Sequence, residues 1–332
     1  MPFHYQHDLA LPKGSTILVT GSSGFLASNI VHEILKAGFQ VLGTSRLAPE
    51  KERIDDRILG SPNYETIEVR NIDEPGAFDA AVRGVDAIIH TATPLSLSAD
   101  PSEVVGPAVA AVVPIMTSAL QEPSVKRFVY ASSSIAATQP KVNQPMIVNK
   151  DSWNRELDDW VTKKWNPYLI YAASKVMSEL AVWDFVKEHR PDFAVNTVLL
   201  GYLIGRIIGE GTKSSQALID IYQGKKDFMW FPPQYMTNVV DCARLHLIAA
   251  VDSTLTNERI LVQAYPFNWN DVLDIFQDLR PDNKTVVHND ASQGRDISVV
   301  DNSLGAALLA KWYGQASYTD LKESVRQDTK GL

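Results

Sequence analysis

Tyr171 and Lys175 stand four residues apart in the run NPYLIYAASKVMSELAVWDFVKEH, whose Leu180, Trp183, Phe185 and Val186 supply an apolar packing face. On a helix that spacing projects both side chains from one face, a turn apart. A free tyrosine titrates near about pH 10 and is a poor proton donor or base at neutrality. An adjacent ammonium stabilises the phenolate, lowers that value and fits the phenol for general acid/base work. Upstream, the apolar run KRFVYA leads into Ser132, Ser133 and Ser134. A serine hydroxyl there would hold a substrate carbonyl oxygen. A Tyr-x-x-x-Lys pair is common by chance, so its meaning depends on the elements that position it.

The stretch from Ile17 to Arg46, ILVTGSSGFLASNIVHEILKAGFQVLGTSR, predicts a strand, a glycine turn, a helix and a second strand. Ile17, Leu18 and Val19 lack polar alternation, as in a parallel strand buried on both faces. Ile30, Val31, Ile34 and Leu35 recur at helical spacing, and Gly38 closes the helix. Gly21 and Gly24 let a backbone approach a ligand, and the helix start that follows offers unpaired amides and a positive dipole end. Those features ask for a pyrophosphate. The motif continues with Ala27 where a third glycine often stands. The second strand ends in Arg46 with no adjacent acid, which favours a 2′-phosphate and hence NADPH, with NADH as the weaker alternative. Lys175 is then also placed to hydrogen-bond a nicotinamide ribose.

Further strands are expected at Tyr64–Val69, Val85–His90, Lys126–Ala131 and Phe193–Leu200, with an apolar helix over 103–121 kinked by Pro107 and Pro114. Regular alternation of strands and helices implies right-handed crossovers and a doubly wound parallel sheet. Ligands on such sheets lie outside the carboxyl ends of the strands. The small polar clusters fall there: Gly21–Gly24, Arg46, Asn71 to Asp73, Thr91 to Pro94 and the three serines. A charged helix is expected over 49–60, with Lys51 on a solvated face, and a polar connection over 138–167. Beyond Leu200 come a helix at 214–222, an aromatic loop at 228–236 (Met229, Trp230, Phe231, Tyr235, Met236), and a helix at 238–251. A strand at 259–263 and helices near Asn270 and Leu321 complete a smaller lobe.

The 332 residues suffice for one large α/β domain or two unequal lobes. With 31 Lys+Arg against 39 Asp+Glu the net charge is −8, which argues against a nucleic-acid surface. The lone Cys242 cannot form an internal disulfide, and no zinc-type spacing occurs, so no metal is expected. No run long and apolar enough to span a membrane is expected, nor a signal-type core near the N-terminus, which points to a cytoplasmic location. His90 is expected to pack or cap rather than act as a base, Cys242 to fill a core, and Asp241 to order a helix start or nearby loop.

The chain resembles the extended short-chain dehydrogenases/reductases. Within them it is similar to the fungal aldehyde and ketone reductases related to dihydroflavonol reductase and cinnamoyl-CoA reductase. The likeness runs through LPKGSTILVTGSSGFLASNIV, HTATP, KRFVYASSS, YAASK, VVDCARLHLIA and LKESVRQDT. It implies an α/β, Rossmann-type doubly wound parallel sheet over residues 1–200. Residues 201–332 would form a smaller C-terminal substrate lobe, with some segments returning to the first domain.

The resemblance makes Tyr171 the proton donor to a carbonyl oxygen and has Lys175 lower its pKa and bind the ribose. The serine is Ser133 when counted from the strand and Ser134 when aligned from Ala136 and Ala137. Gly21, Ser23, Gly24, Phe25 and Leu26 would hold the pyrophosphate, Arg46 the 2′-phosphate, and Asn71 and Ile72 the adenine. Thr91, Ala92 and Thr93 would line the ribose side, and Leu200, Gly201 and Leu203 the nicotinamide end. Ser134 is a candidate substrate contact; the aromatic residues of 228–236, Trp230 among them, either pack the core of the small lobe or, joined by Leu95 and Tyr202, wall a bulky apolar substrate. Asn71 replaces a usual Asp, and Gly205-Arg206 stands where Gly-Pro is common.

The expected activity is NADPH-dependent reduction of a small aldehyde or ketone by a monomer or homodimer. A flavonoid-like ketone or CoA thioester is an alternative substrate. A non-catalytic NADP sensor and a nucleotide-sugar epimerase or dehydratase are further alternatives, the last disfavoured by the absence of a basic cluster in the second lobe.

Overall fold

Ile17, Leu18 and Val19 have no solvent exposure in the computed structural model, which describes residues 1–4, 9–46, 56–94, 98, 100–157, 166–208, 213–225, 231–285 and 292–330. They belong to β1 (Thr16–Thr20), followed by α1 (Phe25–Lys36), β2 (Gln40–Ser45), α2 (Asp56–Leu59), β3 (Tyr64–Glu68) and β4 (Ala87–His90). Next come α3 (Val105–Ala110), α4 (Val112–Gln121), β5 (Arg127–Ser133), α5 (Ser134–Ala137), β6 (Ile147–Val148), α6 (Pro167–His189) and β7 (Ala194–Leu200). The remainder is β8 (Tyr202–Ile204), α7 (Lys213–Tyr222), β9 (Gln234–Asn238), α8 (Val239–Val251), β10 (Arg259–Val262), β11 (Tyr265–Phe267), α9 (Trp269–Leu279), β12 (Val299–Val300), α10 (Ser303–Tyr313) and α11 (Leu321–Asp328).

Seven strands form one sheet in the order β10-β7-β5-β4-β1-β2-β3, every pair parallel. The chain winds outward from β1 through β2 to β3, then returns to β4 on the other side of β1. This is the doubly wound sheet expected, and its switch point lies between β1 and β4, the place where sheets of this kind bind ligands. β10 arrives from beyond residue 250 to close the sheet beside β7. A three-stranded sheet, β11-β9-β8, and a short parallel ribbon, β12-β6, lie outside it.

Several elements differ from the sequence expectation for physical reasons. β5 runs two residues further and takes in Ser132 and Ser133, because their backbones pair with Leu199 and Leu200 of β7. Part of the expected aromatic loop is β9, held between β8 and β11 by pairing that no local pattern announces. Pro107 and Pro114 each fall in the first turn of their own helix, α3 and α4, where a missing N–H costs nothing. They start helices rather than kink one. The polar connection carries β6, and α10 was not foreseen. Of the charged helix expected over 49–60, only α2 is described, and Lys51 lies outside the described residues.

One exclusion needs correction. Pro101–Gln121 does contain a window long and apolar enough to cross a membrane, with mean hydropathy 1.7, and 56% of that window is buried inside the protein. Its apolar content faces the core: Val105 and Ala108 of α3, and Val112, Ile115, Met116 and Ala119 of α4 are buried.

α6 begins with Asn166, whose side chain accepts from the Leu169 N–H, and with Pro167 in the first turn. It ends at Arg190 in the left-handed region, φ 46°. α8 is buried over nearly its whole length and packs across α1, β5 and β7. Arg244 of α8 pairs with the buried Glu33 of α1 at 3.2 Å, and Arg206 meets the other Glu33 oxygen at 3.6 Å, so two arginines of the second lobe share one carboxylate of the glycine-turn helix.

Gly201 separates β7 from β8. A Cβ there would stand 2.6 Å from the Tyr235 carbonyl oxygen of β9 and 3.0 Å from Thr237 Oγ1. Its smallness is thus explained by strands meeting, and backbone cannot move aside cheaply. Gly201→Ala is expected to lower the unfolding free energy by about 1–3 kcal/mol, measured by denaturant titration. Unchanged stability would show that β8 and β9 can separate without penalty.

Candidate active site

The turn between β1 and α1 is built to leave amides unspent. Gly21 adopts φ 65°, a region L-residues rarely occupy. Ser22 N–H donates to the Thr44 carbonyl at 3.0 Å and Gly24 N–H to the Gly21 carbonyl at 2.9 Å, while Gly21 N–H donates to Thr44 Oγ1 at 3.2 Å. α1 then starts with no side-chain cap and no acidic residue in its first turn. Its leading N–H groups, at Phe25 and Leu26, keep their positive end for an anion. Ser23 is exposed beside them.

Arg46 follows β2, exposed, with no carboxylate partner among the described residues. Asn71 Nδ2 donates to Glu74 Oε1 at 2.6 Å, so its side chain is engaged locally at the sheet edge. Ile72 packs partly buried against the Phe78 cluster. After β4, the Thr91 and Ala92 N–H groups both donate to Thr20 Oγ1 at 3.0 Å. Thr93 Oγ1 lies 3.4 Å from Lys175 Nζ. Thr91–Thr93 and the α6 lysine are therefore brought together at the carboxyl end of the sheet, beside the glycine turn.

The three serines separate by function. Ser132 Oγ donates to Glu179 Oε2 at 2.7 Å in a fully buried site. Ser133 Oγ accepts from the Ile135 N–H at 3.3 Å and caps α5. Ser134 is half-buried at the start of that helix. Ser132 is thus committed to structure, and the choice between Ser133 and Ser134 stands as the sequence left it.

Tyr171 is half-buried and Lys175 buried on the same face of α6. Burial, with the Tyr168 phenol adding to it, pushes Tyr171 up to about 12. Burial alone pushes Lys175 down to about 8. The tyrosine is raised rather than lowered, because burial and the Tyr168 phenol act on it while the ammonium is turned toward Thr93. The phenol keeps its proton across the neutral range, which suits a donor.

Leu200 and Leu203 are half-buried around Gly201. Tyr202 packs against Phe231, Phe267 and Trp269 with ring centroids 6.3, 5.7 and 5.7 Å away. Phe231 in turn meets Tyr168 of α6 edge-on at 5.6 Å. This aromatic chain joins the second lobe to α6, which carries Tyr171 and Lys175. Leu95, Met229 and Trp230 lie outside the described residues. Among the described residues no group of three or more His, Cys, Asp or Glu side chains is placed to hold a metal.

Sequence reasoning missed Glu179 and Arg259. Glu179, two turns beyond Tyr171, is fully buried and accepts from Ser132, from Thr197 Oγ1 at 2.8 Å and from Arg259 Nε at 2.9 Å. Arg259 also donates to the Lys150 and Ser152 carbonyls and stacks over Trp153 at 3.8 Å. The signal was available: Tyr171, Lys175 and Glu179 repeat at four-residue spacing along one helix face. Asp241 does order nearby backbone, accepting from the Thr319 N–H at 2.6 Å.

Fold and site together define a dinucleotide-binding α/β protein of the short-chain dehydrogenase/reductase type. The model of the NAD dependent epimerase/dehydratase family matches residues 17–262, and the chain belongs to that family. It is 34% identical to aldehyde reductase 2 of Sporidiobolus salmonicolor, over 95% of each chain. It is 32% identical to the ketoreductase nvfG of Aspergillus novofumigatus, over 95% of this chain and 96% of that one. Gre2 of Candida albicans, solved in complex with NADPH, superposes with a TM-score of 0.82 at 24% identity, covering 94% of this chain and 97% of that chain.

Lys175 supplies a test of this electrostatic picture. Its value falls from 10.5 to about 8 on folding, so the folded state binds the proton less well than the unfolded chain. The charged lysine therefore destabilises the fold below pH 8, and the penalty disappears as pH rises toward the unfolded value. Lys175→Met is expected to raise the unfolding free energy at pH 7 by up to about 3 kcal/mol, with the gain fading between pH 8 and about 10.5. Denaturant unfolding of both proteins across that window checks it, and a gain independent of pH would count against a desolvated ammonium.

Proposed function

We propose that the protein is an NADPH-dependent carbonyl reductase that converts a small aldehyde or ketone to an alcohol. The observation that carries this reading is the junction of Tyr171, Lys175 and Thr93 at the same sheet end as an uncapped α1. The residues present fit the dinucleotide. Gly21 in a positive-φ turn, Gly24 and the uncapped first turn of α1 suit a pyrophosphate, and the exposed Arg46, without a carboxylate partner among the described residues, suits a 2′-phosphate. Thr91, Ala92 and Thr93 would line the ribose side, with Lys175 donating to ribose hydroxyls. Asn71 and Ile72 would border the adenine.

When bound, the cofactor supplies the hydride. The chain's own residues then hold the substrate and handle the proton. Ser133, or Ser134 in its place, donates to the carbonyl oxygen, and Tyr171 passes its phenolic proton to that oxygen as negative charge develops there. Keeping Tyr171 protonated by burial favours the reductive direction at neutral pH. Lys175, charged below about pH 8, favours the phenolate left behind. The aromatic chain from Tyr168 through Phe231 to Tyr202 supports a wall for an apolar substituent of the substrate. All these residues come from one chain, so the reading applies equally to a monomer or a homodimer. The relatives named aldehyde reductase and ketoreductase support the same chemistry.

The experiment follows NADPH and NADH absorbance with a panel of aldehydes, α-keto esters and aryl ketones. Tyr171→Phe is expected to lower kcat by about a hundred- to ten-thousand-fold while NADPH still binds. Wild-type protein that binds NADPH and turns over none of the panel would favour a sensor. Arg46→Ala is expected to raise KM for NADPH by about tenfold or more and to leave NADH kinetics unchanged. Equal loss with both cofactors would remove Arg46 from the 2′-phosphate.

A further inference from the structure

Thr20 ends β1, His90 ends β4, and the two are register partners. Both are buried, at 0% and 1% exposure. Thr20 Oγ1 accepts the Thr91 and Ala92 N–H groups, each at 3.0 Å. A hydroxyl has two lone pairs and one proton. With both lone pairs used, the proton is directed to His90 Nδ1, 2.9 Å away. That makes Nδ1 an acceptor and places the ring proton on Nε2. His90 Nε2 has no partner among the described residues, and the ring lies against Phe78, Phe128 and Tyr130 with centroids 6.1, 6.3 and 6.0 Å away. Burial and the charge of Lys175 hold His90 down at about 3, so the ring stays neutral.

The hydroxyl governs the geometry around it. Thr91 Oγ1 donates to the Thr20 carbonyl at 2.5 Å. The Ala92 Cβ is 3.4 Å from the position a Cβ would take on Gly21, so the turn after β4 sits directly against the glycine turn. One residue later Thr93 receives Lys175. We propose that Thr20 and His90 are positioning residues for the dinucleotide: the threonine hydroxyl, oriented by the Nε2–H form of His90, sets the Thr91–Thr93 turn against Gly21 and beneath Lys175. This deepens the NADPH-binding reading and rests on it. The unpartnered Nε2–H of His90 is a cost retained for the acceptor at Nδ1, where a phenylalanine or leucine would pack without one.

Thr20→Val keeps the shape and removes the hydroxyl, whereas Thr20→Ser keeps the hydroxyl. Fluorescence titration is expected to show the Kd for NADPH raised about tenfold or more in Thr20→Val and within about twofold of wild type in Thr20→Ser. His90→Asn, which retains an acceptor near Nδ1, is expected to bind NADPH more tightly than His90→Leu. This pair carries the comparison should Thr20→Val fail to fold. In protein labelled with 15N-histidine, NMR is expected to show a bare Nδ1 and a protonated Nε2 for His90 at neutral pH. An Nδ1–H form overturns the proposal, as do equal Kd values for Thr20→Val, Thr20→Ser and a wild type that binds NADPH. A wild type that binds neither NADPH nor NADH instead overturns the dinucleotide reading beneath it.

Discussion

A single buried carboxylate ties α6, the helix of Tyr171 and Lys175, to the sheet. Glu179 receives hydroxyls from β5 and β7 and the guanidinium of Arg259 from β10, so three adjacent parallel strands converge on one side chain of α6. Taking a carboxylate and a guanidinium out of water is costly, and such a pair holds only when its remaining donors and acceptors are satisfied. Here they are, because Arg259 also reaches two carbonyls and a Trp153 ring. The consequence is geometric. Lys175 and Tyr171 sit one and two turns from Glu179 on the same face, so their position over the sheet end follows from a fixed point in the core. Ser132 is consumed in fixing it, which is why a serine adjacent to the candidate catalytic pair is unavailable to substrate.

Around that fixed point the site concentrates unfavourable burial. Tyr171 is forced up, Lys175 is forced down, and His90 keeps a proton donor with no acceptor among the described residues. Desolvating the Lys175 ammonium costs stability at neutral pH, as does a buried N–H without an acceptor, whereas the phenol is protonated in both states there and its shift costs none. Together they give a protonated phenol, a charged amine and a neutral imidazole crowded at the end of β1 and β4. Such a set is maintained by the surrounding core rather than by its own interactions, as expected where function and stability pull in opposite directions.

Much of this was legible in the residues. Strands buried on both faces announce themselves as unbroken apolar runs, so β1, β4 and β7 could be placed within a residue or two. The glycine turn and the Tyr171–Lys175 spacing led to the right end of the sheet. What could not be read has two causes. β9 and the β6–β12 ribbon exist through long-range pairing, which leaves little trace in short segments. α10 carries Gly305 in its interior, a poor helix former, at a spot where the Tyr318 hydroxyl leaves no room for a Cβ. The tyrosine's titration was also misjudged, because spacing specifies who the neighbours are and not how dry the site is. Glu179 escaped notice because a carboxylate on a helix face usually means solvent.

The place of β10 in the sheet has a consequence for how the molecule is made. The partners Arg127, Asn196 and Glu179 complete their contacts only with residues 249–259, and Glu33 of α1 waits for Arg244, 211 residues further along the chain. A nascent chain that has just emerged as far as β7 would present an unpaired parallel edge, a half-satisfied carboxylate and an α1 face without its cover. Parallel pairing at such separations bears a large loop-closure cost before any contact repays it. Folding to the native sheet is therefore postponed until most of the polypeptide has been synthesised. In the interval the exposed β7 edge is the surface on which self-association during biosynthesis would begin.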